Sequence, residues 1–404
     1  MSTAVMQAEG PGKGAVEKEA LPLNLAGRIP ELDGLRGVAI GMVVICHYLE
    51  FGFVTRHGSL GAYLKALPGL SWSGVDLFFV LSGFLIGGIL LDARESSNYF
   101  AVFYTRRFFR IVPIYVVILL LFPLAEAAIR SAQAGAFSWL FANSMPWYSY
   151  ATFTQNIWMV LRGNYGGNWL APTWSLCVEE QFYLTLPLLI RLLSRQRLVP
   201  WLLVFICSAP VLRSILVWHS GANVMRELVV MPCRADALLM GVLAAVIMRD
   251  AGWRERIARS RRLFPALLTG LLAGVALLAR FAPGISFRLM RTVGFTWLAL
   301  FYACILLFAI LRQDSWLSRS LRNRLLMWLG SIAYGVYLIH QAVQGLVFGY
   351  FGERAPGIWQ WGDLKFVVIS LGVTLAVAAI SWQWFEKPFL RLGHKYRYEG
   401  QAAA

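Results

Sequence analysis

The chain has 404 residues, of which 58% are hydrophobic and only 14% are charged, and its formal net charge is +16. Soluble domains carry about 25% charged residues, so this composition excludes an ordinary soluble enzyme and indicates a polytopic membrane protein. The basic residues cluster in alternate short loops between apolar segments rather than along one stripe, which argues against a nucleic-acid partner.

The first 30 residues are polar and contain no apolar signal segment, so residues 1–30 are predicted to be a disordered cytoplasmic tail. Residues 31–390 are predicted to form one transmembrane domain and residues 391–404 a second cytoplasmic tail. The predicted fold is an all-α, polytopic integral membrane protein with about ten transmembrane helices. The ten apolar segments are 34–54, 74–91, 110–129, 173–193, 198–218, 228–248, 264–282, 291–311, 326–350 and 363–386.

Charge in the connecting segments predicts the orientation. One set of connections and tails holds 24 lysines and arginines and the opposite set holds 10, which predicts that both termini are cytoplasmic and that the protein lies in the cell's inner (plasma) membrane. The five cysteines are scattered and form no CxxC pair, so neither a disulfide framework nor a metal site is expected.

The first apolar segment contains Arg36 and His47, eleven residues apart. Eleven residues make close to three helical turns, so the two side chains leave the same face, about 16 Å apart along the axis. Ionisable residues at membrane depth usually serve function, and a neutral imidazole is able to act as a general base. In the alternative interpretation, Asp33 and Arg36 anchor the helix at the interface and His47 is a hydrogen-bonded core residue. The shared face favours the functional interpretation.

The second apolar segment contains Ser82 without a G-x-S-x-G nucleophile elbow around it. We therefore predict a structural role, in which Ser82 and Gly83 allow close approach to the first helix.

At the start of the third segment stand Arg106, Arg107 and Arg110 among aromatic residues. They are either a positive-inside anchor or a clamp for phosphate oxygens, and both interpretations stay open.

The connection from about 130 to 172 is long and rich in tryptophan, tyrosine and asparagine. Aromatic rings stack on sugars, so Trp147, Trp158 and Trp169 are candidate acceptor-binding residues. The same residues also suit an interfacial aromatic belt.

The fourth apolar segment begins with Trp174 and carries two adjacent carboxylates, Glu179 and Glu180. Adjacent helical side chains point about 100° apart, so only one of them is expected to face a polar cavity. We assign Glu180 to position an acceptor or to orient His47.

Three later motifs carry charged or titratable side chains. Arg234 and Asp236 are expected to form a mutual or inter-helix ion pair. His340 in the ninth segment suits a structural or a functional role equally. Glu386 is expected to be an ion-paired residue at a helix end.

Taken in order, these motifs resemble membrane-bound acyltransferase family 3. The strings LDGLRG with Arg36 and His47, FFVLSGF, RRFFRIVP, PTWSLCVEEQFY, the Arg234 and Asp236 pair, YGVYLIH and FEKPF extend over about residues 29–390. The resemblance implies ten spans and transfer of an acyl group, usually acetyl, from cytoplasmic acyl-CoA to a hydroxyl of an extracytoplasmic acceptor. It also implies that Arg36 and His47 are essential.

Together these observations give a working hypothesis of an O-acyltransferase acting on a cell-surface or exported carbohydrate. The acyl-CoA is a co-substrate, no cofactor is bound permanently, and His47 is a general base or a transient acyl carrier. The acyl-CoA phosphates are expected to bind Arg36, Arg106, Arg107 and Arg110. The residues expected to support the site are Asp33, Ser82, Trp174, Glu179, Arg234, Asp236 and His340. The alternative is a transporter or flippase of a glycan or small molecule. The acceptor, the acyl length and the oligomeric state stay open.

Overall fold

A computed structural model describes residues 28–50, 52, 69–130, 135–219, 223–260 and 262–400, and every regular element in these ranges is a helix. All of the predicted N-terminal tail except its last three residues lies outside them. The ten long helices are α1 Pro30–Ile45, α2 Gly74–Asp92, α3 Tyr99–Arg130, α4 Trp174–Leu192, α5 Arg195–His219, α6 Met231–Arg249, α7 Leu263–Phe281, α8 Phe295–Leu311, α9 Arg324–Gly352 and α10 Leu364–Ser381.

Shorter helical elements connect and extend these ten. The α-helical ones are Ser138–Phe141, Trp147–Ala151, Gln155–Arg162, Met225–Val229, Ala251–Arg259, Trp316–Leu321 and the C-terminal helix Lys387–His394. The 3₁₀ turns are Ser71–Ser73, Gly135–Phe137, Ala171–Thr173 and Trp361–Asp363, and the π-helical turns are Cys46–Glu50, Met290–Gly294 and Trp382–Glu386.

Nine helical segments in the described ranges are long and apolar enough to cross a membrane, where the apolar pattern predicts ten. The difference is α4, which has 19 residues but carries Glu179, Glu180 and Arg191. A helix forms at the predicted fourth segment, and its crossing of the membrane stays a prediction. The cytoplasmic position of both termini stays a prediction.

The closest contacts between helices are made at small residues. This is common in membranes, where the hydrophobic effect does not drive helices together and close backbone packing takes its place. A Cβ at Gly83 of α2 would meet the backbone oxygen of Leu238 on α6, and Gly241 of α6 faces the backbone of Val80 in the same way. The predicted close approach at Gly83 is therefore made to α6, and its assignment to the first helix was wrong. The first helix uses Gly37, which packs on the backbone of Leu326.

This close contact gives a direct test. Gly83→Ala is expected to destabilise the protein by about 1–3 kcal/mol, because a rigid backbone carbonyl occupies the place of the new methyl group. Gly41→Ala is the matched control, since no atom lies within 4 Å of a Cβ at that helical glycine. It is expected to be neutral or stabilising by up to about 1 kcal/mol. Thermal unfolding in detergent measures both, and equal midpoints would contradict the packing argument.

Buried ion pairs join α2, α5 and α6. Arg234 on α6 binds Asp76 on α2, and Asp236 on α6 accepts from Nη2 of Arg213 on α5 at 2.9 Å. The hydroxyl of Thr296 on α8 also donates to Asp236, at 2.6 Å. The expectation that Arg234 and Asp236 form inter-helix ion pairs is confirmed.

Candidate active site

A cavity of about 730 Å³ lies between α1, α2, α3, α4, α9 and the C-terminal helix. On α2 its wall runs from Val75 to Ile89, which at about 1.5 Å per residue is about 21 Å long. Gly74, which precedes Val75, packs against Val43 of α1. Since His47 follows Val43 by one helical turn, the Val75 end of the cavity points toward His47.

Basic side chains line the part of the cavity formed by the starts of α1 and α3 and by the C-terminal helix. They are Arg28, Arg36, Arg107, Arg110 and Lys387, and the imidazole of His394 lines the same part. Asp33 also lines the cavity and accepts from Nε of Arg28 at 2.7 Å and from Nη1 of Arg36 at 3.2 Å. Arg110 makes no hydrogen bond or ion pair with another described residue. This concentration of positive charge suits a polyanionic ligand.

Arg106, predicted to belong to the same cluster, is not among the residues that line the cavity. Its Nε donates to the carbonyl oxygen of Tyr396 at 2.8 Å, and its guanidinium lies 5.1 Å from the ring centroid of Tyr398. Burial raises the pKa of the Tyr398 phenol above its usual value. Residues 395–400, predicted to be part of a tail, are thus packed against α3, and Arg106 holds this segment instead of facing a ligand.

The two adjacent carboxylates of α4 point in different directions, as the 100° helical step requires. Glu179 lines the cavity, whereas Glu180, predicted to position an acceptor or to orient His47, does not. Oε1 of Glu180 is buried without a hydrogen-bond partner among the described residues. Beside Glu179, the hydroxyls of Ser82 and Tyr183 are 2.5 Å apart and both side chains line the cavity.

A second carboxylate, Glu386, reaches the cavity from the far end of the sequence. It closes the π-helical turn that joins α10 to the C-terminal helix, and it accepts from the hydroxyl of Ser381 at 3.1 Å. Its predicted place at a helix end was wrong, because the chain stays helical through this turn. In the described part of the chain no basic group lies within 4 Å of Glu386, so the predicted ion pair is absent there.

Hydroxyl groups lie at the Val75 end of the cavity. The hydroxyls of Ser175 on α4 and Tyr337 on α9 are 2.6 Å apart, and Tyr337 also donates to the carbonyl oxygen of Pro172 at 2.9 Å. The ring of Phe78 packs edge-on against Tyr337, with ring centroids 6.1 Å apart. These groups form the cavity wall nearest to the histidines.

Behind this wall, His47 and His340 form a pair with ring centroids 4.9 Å apart. Nε2 of His340 lies 3.3 Å from Nδ1 of His47, and the ring of His340 lies 6.0 Å from that of Tyr337. Neither histidine is among the cavity-lining residues, whereas Arg36 is. Tyr337, a cavity-lining residue, therefore adjoins the histidine pair.

Comparison with known proteins identifies the family. The sequence profile of the acyltransferase domain matches residues 29–383. The chain belongs to this acyltransferase family. The resemblance drawn from the motifs is thereby confirmed over most of the chain.

Several curated relatives of this acyltransferase are similar in sequence. The putative peptidoglycan O-acetyltransferase YrhL of Bacillus subtilis is 27% identical over 396 residues, which cover 91% of this chain and 56% of the relative. The peptidoglycan O-acetyltransferase OatA of Listeria monocytogenes is 26% identical over 395 residues, covering 92% and 57%. The chain thus spans a little over half the length of these relatives. No solved structure matches it.

Of the three tryptophans predicted to bind an acceptor, the structure links Trp147 and Trp158 and places Trp169 apart from them. Trp147 is highly exposed and is linked to Trp158 through Tyr148, whose ring centroid lies 6.4 Å from that of Trp147 and 6.1 Å from that of Trp158. Trp169 is buried and stacks on Phe141 at 5.8 Å, so it forms part of the core. Its prediction as an acceptor contact is not supported by this position.

The remaining predicted residues lie behind the cavity wall. Trp174 packs edge-on against Phe79, with ring centroids 6.2 Å apart, and Phe79 lines the cavity. The guanidinium of Arg234 lies 5.7 Å from the centroid of the same Phe79 ring. The buried pair of Arg234 and Asp76 therefore supports this wall from behind.

Sequence reasoning missed Tyr337 and Glu386 as cavity residues. A usable signal was present for Tyr337, because Tyr334, Tyr337 and His340 recur at i, i+3 spacing and so share one helix face. For Glu386 no local signal exists, since its place depends on the π-helical turn. In the described ranges no three acidic, histidine or cysteine side chains are grouped as a metal site would need.

Proposed function

We propose that this acyltransferase moves an acetyl group from cytoplasmic acetyl-CoA to a hydroxyl of an extracytoplasmic carbohydrate, with peptidoglycan as the first acceptor to test. The names of the relatives support the acetyl group and the acceptor. One structural observation supports the proposal most: a single cavity carries basic residues and ends at hydroxyls that adjoin the histidine pair. The inner membrane location and the cytoplasmic termini belong to the same proposal.

The donor matches the cavity in charge and in shape. Acetyl-CoA has a polyanionic head, a long pantetheine arm and a terminal thioester. Guanidinium groups bind phosphate oxygens well, so Arg36, Arg107 and Arg110 are the proposed contacts for the head. The arm then lies along the α2 wall, and the thioester lies near Tyr337.

In the proposed reaction, His47 is the general base that accepts the proton of the acceptor hydroxyl. Tyr337 lines the cavity and its ring centroid lies 6.0 Å from that of His340, so the proposal requires that the thioester reach His47 beside this residue. A two-step route through an acyl-imidazole on His47 has the same requirement. Trapping a labelled acyl-protein in a rapid-quench experiment distinguishes the two routes.

The proposed acceptor surface is the aromatic group formed by the exposed Trp147 and Tyr148 and the half-buried Trp158. Arg162, whose guanidinium lies 5.7 Å from the centroid of the Trp158 ring, adds hydrogen-bond donors at its edge. Flat rings with adjacent donors suit the faces and hydroxyls of a sugar.

Labelled donor tests the function as a whole. Membranes containing the protein are given acetyl-CoA labelled in its acetyl group together with purified peptidoglycan. The expected result is label on the glycan that mild alkali releases, as it would for an ester, and none with His47→Ala. Movement of a labelled glycan across the membrane without acetyl transfer would instead support a transporter.

Two arginines of α3 with different surroundings, Arg110 in the cavity and Arg106 outside it, test donor binding. Arg110→Ala is expected to raise the KM for acetyl-CoA by about ten- to a hundred-fold with a smaller change in kcat, because one charge-assisted contact to phosphate is lost. Arg106→Ala is the matched control, since this side chain binds the carbonyl oxygen of Tyr396 outside the cavity. Equal KM changes in both variants would contradict the assignment of the cavity to the donor.

A further inference from the structure

The environment of His340 defines which of its nitrogens carries the proton. His340 is fully buried in α9, and its Nδ1 lies 2.7 Å from the carbonyl oxygen of Tyr337 and 3.2 Å from that of Val336. Carbonyl oxygens only accept hydrogen bonds, so Nδ1 holds the proton of the neutral ring. Nε2 of His340 is therefore an acceptor, and it faces His47.

His47 is held in the complementary state. Its Nδ1 lies 2.9 Å from the carbonyl oxygen of Val43 and 3.3 Å from Nε2 of His340. Both of these partners are acceptors, so Nδ1 of His47 carries the proton and Nε2 is its basic nitrogen.

The two helices are also fixed around the pair. The hydroxyl of Tyr48 donates to the carbonyl oxygen of His340 at 2.8 Å, and Nε2 of Gln344 donates to the carbonyl oxygen of His47 at 3.4 Å. His47 and Tyr48 belong to the π-helical turn Cys46–Glu50, a rare element that is frequent at functional sites. This turn directs His47 toward α9 and keeps the two rings in contact.

We propose that His340 is a positioning residue for acyl transfer. It keeps the proton of His47 on Nδ1, so that Nε2 accepts the acceptor's proton, and it receives a hydrogen bond from the imidazolium that then forms. This inference rests on the proposed function. A hydrogen bond from a charged ring to a buried acceptor is stronger than the same hydrogen bond in water. A neutral imidazole is therefore sufficient as the acceptor for the His47 imidazolium.

The step balances as follows. The acceptor O–H gives its proton to Nε2 of His47, and the oxygen forms a bond to the acyl carbon. The bond from that carbon to the CoA sulfur breaks, and the sulfur leaves with the electron pair. The proton on Nε2 then moves to the sulfur, which yields the ester, free CoA thiol and neutral His47. His340 keeps its own Nδ1 proton throughout.

Two substitutions of His340 test this role in the full-length protein. His340→Leu removes the acceptor and is expected to lower kcat by about ten- to a hundred-fold with little change in the KM for acetyl-CoA. His340→Gln places an amide oxygen near the position of Nε2 and is expected to recover most of the loss. An unchanged kcat in His340→Leu, or no recovery in His340→Gln while that variant keeps its thermal stability, would overturn the proposal.

A double variant separates positioning from general damage. In the His47→Ala background, His340→Leu is expected to cause no further loss, because its effect acts through His47. A further loss in that background would indicate a structural role and would overturn the proposal.

The protonation state gives a readout that does not depend on catalysis. Nitrogen-15 spectra of the histidine-labelled protein in detergent distinguish protonated from bare ring nitrogens, and His47→Ala identifies the His47 signals. We expect a protonated Nδ1 and a bare Nε2 for His47. The opposite tautomer would overturn this inference, whereas the expected tautomer together with no acetyl transfer would overturn the proposed function alone.

Discussion

Replacement of His47 by alanine is expected to lower kcat for acetyl transfer by a factor of about 10²–10⁴. The alanine variant loses the proposed general base, while Arg36, Arg107 and Arg110, the proposed donor contacts, stay in the cavity. The KM for acetyl-CoA should therefore change little. Steady-state kinetics with labelled donor in detergent or proteoliposomes measures both parameters.

His219 provides a matched control for this variant. Its Nδ1 lies 2.9 Å from the carbonyl oxygen of Ile215, four residues earlier, which repeats the local arrangement of His47 with Val43. His219 is exposed at the end of α5 and is not among the cavity-lining residues. His219→Ala is expected to leave kcat unchanged. A normal kcat in His47→Ala would remove His47 from the chemistry and return the histidine pair to a packing role.

The pattern of the sequence was sufficient to predict the long helices and the place of Arg36. The lengths of the apolar segments determine where the long helices lie. Arg36 lines the cavity because its position depends on a single helix, α1. α4 differs because its carboxylates and Arg191 give it a more polar composition than the nine helical segments that are apolar enough to cross a membrane. Its polar residues have a physical reason to be there, since Glu179 lines the cavity.

The arginines of α3 illustrate a limit of boundary prediction. The predicted start at residue 110 leaves Arg106 and Arg107 in a loop, where no helix face is defined. In the structure α3 begins at Tyr99, so the three arginines have fixed directions: Arg107 and Arg110 line the cavity, whereas the side chain of Arg106 is directed to the carbonyl oxygen of Tyr396. The direction depends on the packing of residues 395–400, a contact almost 300 residues distant in the sequence.

The histidine pair shows a second limit. The spacing of Arg36 and His47 assumed a regular helix, but His47 lies in a π-helical turn. Its partner His340 is 293 residues away, and no local pattern gives the 3.3 Å contact between their nitrogens. The histidines were both identified from sequence as ionisable residues at membrane depth, whereas their relation to each other and to Tyr337 required the three-dimensional fold.

Asp76→Ala is expected to be among the most destabilising single substitutions, at about 3–5 kcal/mol. It leaves the Arg234 guanidinium buried without its carboxylate, and an unpaired charge in the membrane interior is costly. Arg234 also lies 4.0 Å from the centroid of the Phe295 ring, but this cation–π contact is too weak to replace an ion pair. Unfolding of the detergent-solubilised protein by graded denaturant measures the change.

Two comparisons make this prediction specific to a buried, unpaired charge. Glu255→Ala breaks the exposed pair with Arg259 (3.1 Å) and is expected to cost less than about 1 kcal/mol, since water screens such pairs. The double variant Asp76→Leu with Arg234→Met replaces the buried pair by apolar side chains and is expected to recover most of the stability lost in Asp76→Ala. If the double variant stays as unstable as Asp76→Ala, the lost stability comes from the carboxylate's own contacts, and the Arg234 charge is not its cause. If it recovers stability but acetyl transfer falls, the pair is kept for the shape of the Phe79 wall that it supports, because an apolar substitute holds the helices together without holding that ring in place.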